Sequence, residues 1–142
     1  MDNDLYRVFS GIRKRSTVSY TYAIVILHDD QYDQLKPVTV DVKGSSDGFH
    51  RAALLSLIDA VQQIESRHKN KRSAEIQFYS KCDSIVFEWM TELAEDGDFS
   101  SQTGDIDLWR CIKNTVDQNR IRLQIFGTES VLTGMTGAIR IV

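Results

Sequence analysis

The side chains with the most chemical potential in this chain are few and scattered. Arg13, Lys14 and Arg15 form a compact basic triplet, and Arg67, His68, Lys69, Asn70, Lys71 and Arg72 form the densest basic run. Clustered cations can contact phosphate, but they also suit a solvated loop. At the end of a helix they offset the negative pole of the macrodipole, and the second run is read in that way. Carboxylates at Asp41, Asp47, Asp83, Glu88 and Glu129 are spread along the chain, with no pair at the spacing a metal site demands. Cys82 and Cys111 lie far apart and lack zinc-ligand spacing, so a reduced thiol pair is expected. His28, His50 and His68 fall in loops or at helix ends, and no Ser/His/Asp or Cys/His arrangement for nucleophilic catalysis stands out. Gly44, Ser45, Ser46, Asp47 and Gly48 lack both the Walker and the dinucleotide spacings. They read as a turn leading into a helix.

The elements that must hold these residues can be read from periodicity. Leu5 to Phe9 reads as a first strand with Tyr6 and Val8 on one face, and Arg13 to Arg15 are placed in the turn that follows. Ser19 to Leu27 is apolar or aromatic on both faces and is expected inside a sheet. His28 to Asp33 reads as a polar, acidic connection. Pro37 then precedes Val38, Val40 and Val42, which alternate with polar residues as a third strand at a sheet edge.

Leu54, Leu57, Ile58, Val61 and Ile64 recur at three- and four-residue intervals and predict a helix. A buried strand follows, with Ile76 and Phe78 alternating against Glu75, Gln77 and Tyr79. A second helix over roughly 83–94 is expected to bury Val86, Trp89, Met90 and Leu93. A third begins at Asp105 or Asp107 as cap and buries Leu108, Ile112 and Val116. Ile121, Leu123 and Ile125 face inward from a fifth strand, and Gly137 to Val142 has the alternation of a further short strand.

Composition sets outer bounds. The 142 residues suit one domain over 1–142, and 42% hydrophobic residues can supply a core. Neither a long apolar run nor a charged-then-apolar leader occurs, so an intracellular, cytoplasmic and soluble protein is expected, and Met1 fits a free-standing chain. The net charge of −3 does not favour a nucleic-acid binder. Charge is uneven, with eleven Lys and Arg against nine Asp and Glu in residues 1–72, and six against eleven in residues 73–142. Any basic surface therefore belongs to the first half.

The stretch from Arg51 to Val86, together with Asp105-Ile106-Asp107-Leu108-Trp109 and its following strand, resembles the ribonuclease H family of type 1. That family has a helix opened by an Arg and a Glu, a strand ending in Thr-Asp-Ser, and a Val-Asp-Leu-Trp helix start. The resemblance covers most of residues 5–126. It implies an α/β fold, a five-stranded mixed sheet with three antiparallel and then two parallel strands, and helices packed on it.

The resemblance also implies where catalytic carboxylates would stand, and here the sequence departs from the pattern. Ser10 occupies the position of the first Asp, Ala53 that of the Glu and Lys81 that of the second Asp, while the terminal stretch holds neither the His nor the last Asp. The family's basic extension is replaced by a short acidic segment over 95–104. Family chemistry uses two divalent ions, which hard carboxylate oxygens must hold. The expectation is a catalytically inactive domain with no metal or other cofactor, acting in binding or assembly through Arg13, Lys14, Arg15, Arg51 and Lys81. A protein partner or self-association is slightly favoured, with Ala138 to Val142 suited to edge pairing in a homodimer. RNA or RNA/DNA hybrid is the other partner class, and no membrane is implied. The enzyme alternative is a metal-dependent nuclease with a relocated carboxylate site.

Overall fold

The computed structural model describes residues 4–68, 73–94 and 105–127. The chain runs β1 (Asp4–Lys14), β2 (Ser19–His28), β3 (Gln31–Gln34), β4 (Val38–Asp41), α1 (Gly48–Arg67), β5 (Ala74–Ser80), α2 (Asp83–Ala94), α3 (Ile106–Gln118) and β6 (Ile121–Gly127). The sheet order is β3-β2-β1-β5-β6, with β4 also paired to β2. The pairs β1–β2, β2–β3 and β2–β4 are antiparallel, whereas β1–β5 and β5–β6 are parallel. The expected mixed sheet is therefore present, and its third position is filled by two short strands broken around Pro37.

Two local expectations change. The acidic stretch after β2 is a tight hairpin rather than a connection: Asp29 and Asp30 both adopt positive φ, at 52° and 63°, and His28 pairs with Gln31. Two successive left-handed residues match the right-handed twist of the flanking strands, and Asp tolerates that conformation better than most residues. Likewise β1 runs on past Phe9, so Arg13 and Lys14 belong to the strand, paired with Thr21 and Tyr20, and only Arg15 lies in the turn.

The core sits on one face of the sheet. Tyr6, Val8, Tyr22, Ile24, Ile26, Ile76, Phe78, Leu123 and Ile125 meet Leu54, Leu57, Val61 and Ile64 of α1, Ile85 and Trp89 of α2, and Trp109 and Ile112 of α3. The phase of α2 differs from the expected one, because Ile85 is buried whereas Met90 is 65% exposed. Leu93 lies outside the side chains described, as do the segments over 95–104 and 128–142. On the opposite face Phe9, Tyr79 and Phe126 are exact register partners across β1, β5 and β6. Their rings stack at centroid separations of 5.1 and 5.2 Å. Among the described residues no helix is long and apolar enough to cross a membrane.

The start of α1 is fitted closely. Asp47 caps it by accepting the His50 backbone N–H, and a Cβ on Gly48 would lie 2.7 Å from both Tyr20 Cε1 and Val42 Cγ2. Neither neighbour is the loose end of a flexible chain. Gly48→Ala should lower the urea midpoint by an amount worth about 1–3 kcal/mol, the usual cost of overpacking. An unchanged midpoint would show that this contact has room to give.

Candidate functional site

The parallel strand β5 ends alongside the middle of β1: Ser10 and Ser80 lie just past the last pairing, Phe9 with Tyr79, and β1 runs on to Lys14 beside β2 alone. Both belong to the face that carries α1, and both are buried, as is Ser56 on α1. Ser56 Oγ donates to the Ala53 carbonyl at 2.7 Å, so the 2.8 Å contact between Ser10 and Ser56 has Ser10 as donor. Ser80 Oγ accepts the Cys82 backbone N–H at 3.1 Å. The sheet end is thus occupied by buried hydroxyls with partners inside the protein.

This arrangement refines the positions read from sequence. Ala53 is buried, but one turn later Ser56 is the α1 side chain that meets Ser10. Lys81, one residue past the end of β5, is exposed, whereas Ser80 is buried. Cys82, next in sequence, is buried, and burial pushes its thiol pKa up. Both cysteines are free. Arg13 and Lys14 are exposed at the end of β1, and Arg15 Nε donates to Thr21 Oγ1 at 2.9 Å.

Beside this sheet end lies a charged cluster that joins all three helices. His50 is 4% exposed; its Nδ1 is 2.6 Å from Asp105 Oδ2 and its Nε2 is 2.7 Å from Glu88 Oε1. Ionised carboxylates only accept, so satisfying both contacts requires both ring nitrogens to donate, which makes His50 an imidazolium. Glu88 also accepts the Trp109 indole N–H at 2.9 Å, and Asp105 accepts from Arg51 at 2.9 Å. A second Arg51 nitrogen reaches Asp107 at 3.4 Å. Arg51 is therefore engaged by α3 carboxylates.

Asp105 holds the N-cap position of α3 in a left-handed conformation with φ 57°, without a side-chain cap. Its carboxylate is directed instead at His50 and Arg51. A left-handed non-glycine residue costs about 1–2 kcal/mol, which the two charge-assisted hydrogen bonds offset. The sequence reading left His50 as one more residue at a helix end. The usable signal was the Asp105-x-Asp107 pair at a helix start together with His50-Arg51 at another, two cation-anion sets that a compact fold brings together.

The other carboxylates considered for a relocated metal site are accounted for in part. Asp41 accepts the Lys43 backbone N–H, Asp47 caps α1, and Glu88 holds His50 and Trp109. Asp83 opens α2, and Glu129 lies outside the described residues. Among the described residues no three His, Cys, Asp or Glu side chains are grouped to hold a metal ion.

With this geometry in hand, the fold is that of the ribonuclease H-like class, a mixed α/β sheet with three antiparallel and two parallel strand positions. A foamy viral protease-reverse transcriptase in complex with dsDNA superposes with a TM-score of 0.63 at 10% identity, over 98% of this chain and 90% of that one. LC9-RNase H1, a type 1 RNase H with the type 2 active-site motif, gives 0.60 at 15% identity, over 99% and 71%. LC11-RNase H1, isolated from compost by a metagenomic approach, gives 0.58 at 10% identity, over 89% and 86%. No protein-family model matches the sequence, and no curated protein matches it either. At these identities the likeness establishes the fold.

The His50 cluster predicts a pH dependence with a definite sign. Burial alone would lower the His50 pKa, but the hydrogen bonds and charges of Glu88 and Asp105 outweigh it and raise the pKa. The folded state then holds a proton that the unfolded chain releases near the ordinary value of about 6.5. The stabilisation is complete below that value and is lost as pH rises through the raised folded-state pKa. Urea midpoints should fall across that window in the wild-type protein and flatten in His50→Gln. Removing the cation from between two partly buried carboxylates should also cost about 1–3 kcal/mol at neutral pH. A wild-type midpoint that rises with pH in this window would contradict the assignment.

Proposed function

We propose that this chain is a ribonuclease H-like domain that binds a nucleic-acid strand or hybrid without hydrolysing it by the two-metal chemistry of that family. The observation that carries the reading is the Ser10–Ser56 contact at the sheet end. Hard divalent ions take several carboxylate oxygens, and a two-metal site needs enough of them to neutralise four positive charges. Ser10, Ser56 and Ser80 offer neutral hydroxyls already committed to protein partners. Lys81 at the strand end adds a positive charge that disfavours a divalent ion nearby. These residues do not fit the metals that the fold class implies.

Binding is supported by position and by analogy. Exposed Arg13 and Lys14 close β1, exposed Lys81 follows the end of β5, and the foamy viral protease-reverse transcriptase is seen in complex with dsDNA and, in another structure, with RNA/DNA hybrid. The overall charge of −3 limits such binding to a local patch. A protein partner or a second copy is favoured by a different observation. Phe87 and Met90 are 69% and 65% exposed on α2, next to an apolar groove formed by Val86, Trp89, Leu123 and Ile125.

The test is titration against labelled RNA/DNA hybrid, single strands and duplexes at low and moderate salt with Mn²⁺ present, reading product length on the same samples. Salt-sensitive binding with full-length product is expected, weakened several-fold by Lys81→Glu because phosphate contacts supply that affinity. Cleavage abolished by chelator would overturn the non-catalytic reading and return attention to Asp83 and Glu129. Absence of binding at low salt would overturn the nucleic-acid reading in favour of the α2 surface, where Met90→Glu should then abolish association.

A further inference from the structure

At the opposite end of the sheet the β2–β3 hairpin projects past the last turn of α1. Register places Gln31 opposite His28 and Asp33 opposite Ile26, so these side chains belong to the helix face of the sheet, together with Tyr6. Since α1 ends at Arg67, it leaves this corner as a cleft of about 410 Å³ bordered by Tyr6, His28, Gln31, Tyr32, Asp33 and Arg67. That volume is within the range of small-molecule sites, roughly 300–1,000 Å³. Tyr6 precedes Ser10 by four residues along an extended strand, which separates the cleft from the sheet end by about 13 Å.

Three features define what the cleft would take. His28 Nε2 is buried with no hydrogen-bond partner, and the nearest charged atom, Asp29 Oδ2, is 3.6 Å away. A buried polar atom without a partner calls for one. The His28 ring stacks on Tyr6 at 4.0 Å with an interplanar angle of 11°, which gives a flat, rigid wall. Arg67 and Asp33 form an ion pair at the rim, a donor fork next to an acceptor, and the Gln31 amide offers one of each.

An apolar ligand would leave His28 Nε2 unsatisfied. A phosphate or other anion would meet the Asp29 and Asp33 carboxylates. A neutral, planar ring with donors and acceptors alternating along its edge satisfies every feature. We propose that this cleft binds a single nucleobase, either as a free nucleoside or as an unstacked base of a strand. The base stands edge-on to the aromatic stack, with its polar edge turned to His28, Gln31 and the Arg67–Asp33 pair. This site is separate from the sheet end and does not depend on what binds there.

The full chain, isotopically labelled, would be titrated with adenosine, guanosine, cytidine and uridine, then with a short single-stranded RNA and with inorganic phosphate, following the His28 ring and Gln31 amide resonances. Saturable shifts at both residues are expected with at least one nucleoside. His28→Phe keeps the ring stack and removes Nε2, and Gln31→Ala alters an exposed strand position; each should weaken binding about tenfold or more. Saturation by nucleoside alone identifies a free ligand, and saturation by the RNA at the same residues identifies a strand. Both outcomes support the proposal. It is overturned if neither probe saturates at millimolar concentration, if phosphate alone produces the shifts, or if both variants bind as the wild type does.

Discussion

The imidazolium of His50, held between Asp105 and Glu88, is the contact on which the arrangement of helices depends. It is made by residues from the first turn of α1, the middle of α2 and the start of α3, three elements joined by no common strand. Hydrophobic packing of Trp89 against Trp109, whose rings stack at 5.7 Å, brings α2 and α3 together but is non-directional. The charged hydrogen bonds add direction. They fix Glu88 to the Trp109 indole, aim Asp105 away from its own helix, and engage Arg51. A cation lost from this position leaves two partly buried carboxylates without their shared partner, which is why its protonation is coupled to folding.

The helix that carries His50 also carries the hydroxyl that meets the sheet end. Beyond His50 and Arg51, α1 presents Ser56 to Ser10 of β1, and the contact is hydroxyl to hydroxyl. Neutral side chains with internal partners can be buried there without a counter-ion, whereas a set of carboxylates would repel one another unless cations were bound. The three serines at the end of β5 have their hydrogen-bond partners within the protein. Exposed cations lie outside this buried trio, at Arg13, Lys14 and Lys81.

Most of the fold was legible because its strands and helices carry strong periodicity. β2 is apolar on both faces, β5 alternates cleanly, and α1 shows a full apolar stripe. The hairpin at Asp29-Asp30 has no clear sequence mark, because Gln31 to Gln34 is an edge strand with little apolar residue and its turn uses Asp-Asp rather than a glycine. The phase of α2 was off by one step, since Val86, Trp89 and Met90 look equally apolar in sequence and only packing selects Ile85 and Trp89. The site was harder. Motif alignment fixes positions along the chain, but it does not say that Ser80 is buried at the end of β5 while Lys81, the next residue, is exposed. Ser56 lies one turn past the aligned Ala53, and His50 acquires its role only when two helix starts distant in sequence converge.

The claim most open to direct test is that the sheet end is a hydroxyl-bonded structure with no affinity for divalent cations. Titrating the labelled protein with Mn²⁺ and following paramagnetic broadening residue by residue reports any ion that settles there, whether or not it does chemistry. The account predicts only weak, unsaturated broadening spread over surface carboxylates, with Ser10, Ser56 and Ser80 no more affected than the rest. Saturable broadening centred on those three residues would contradict it, and would mean that carboxylates from elsewhere in the chain complete a metal site at the sheet end.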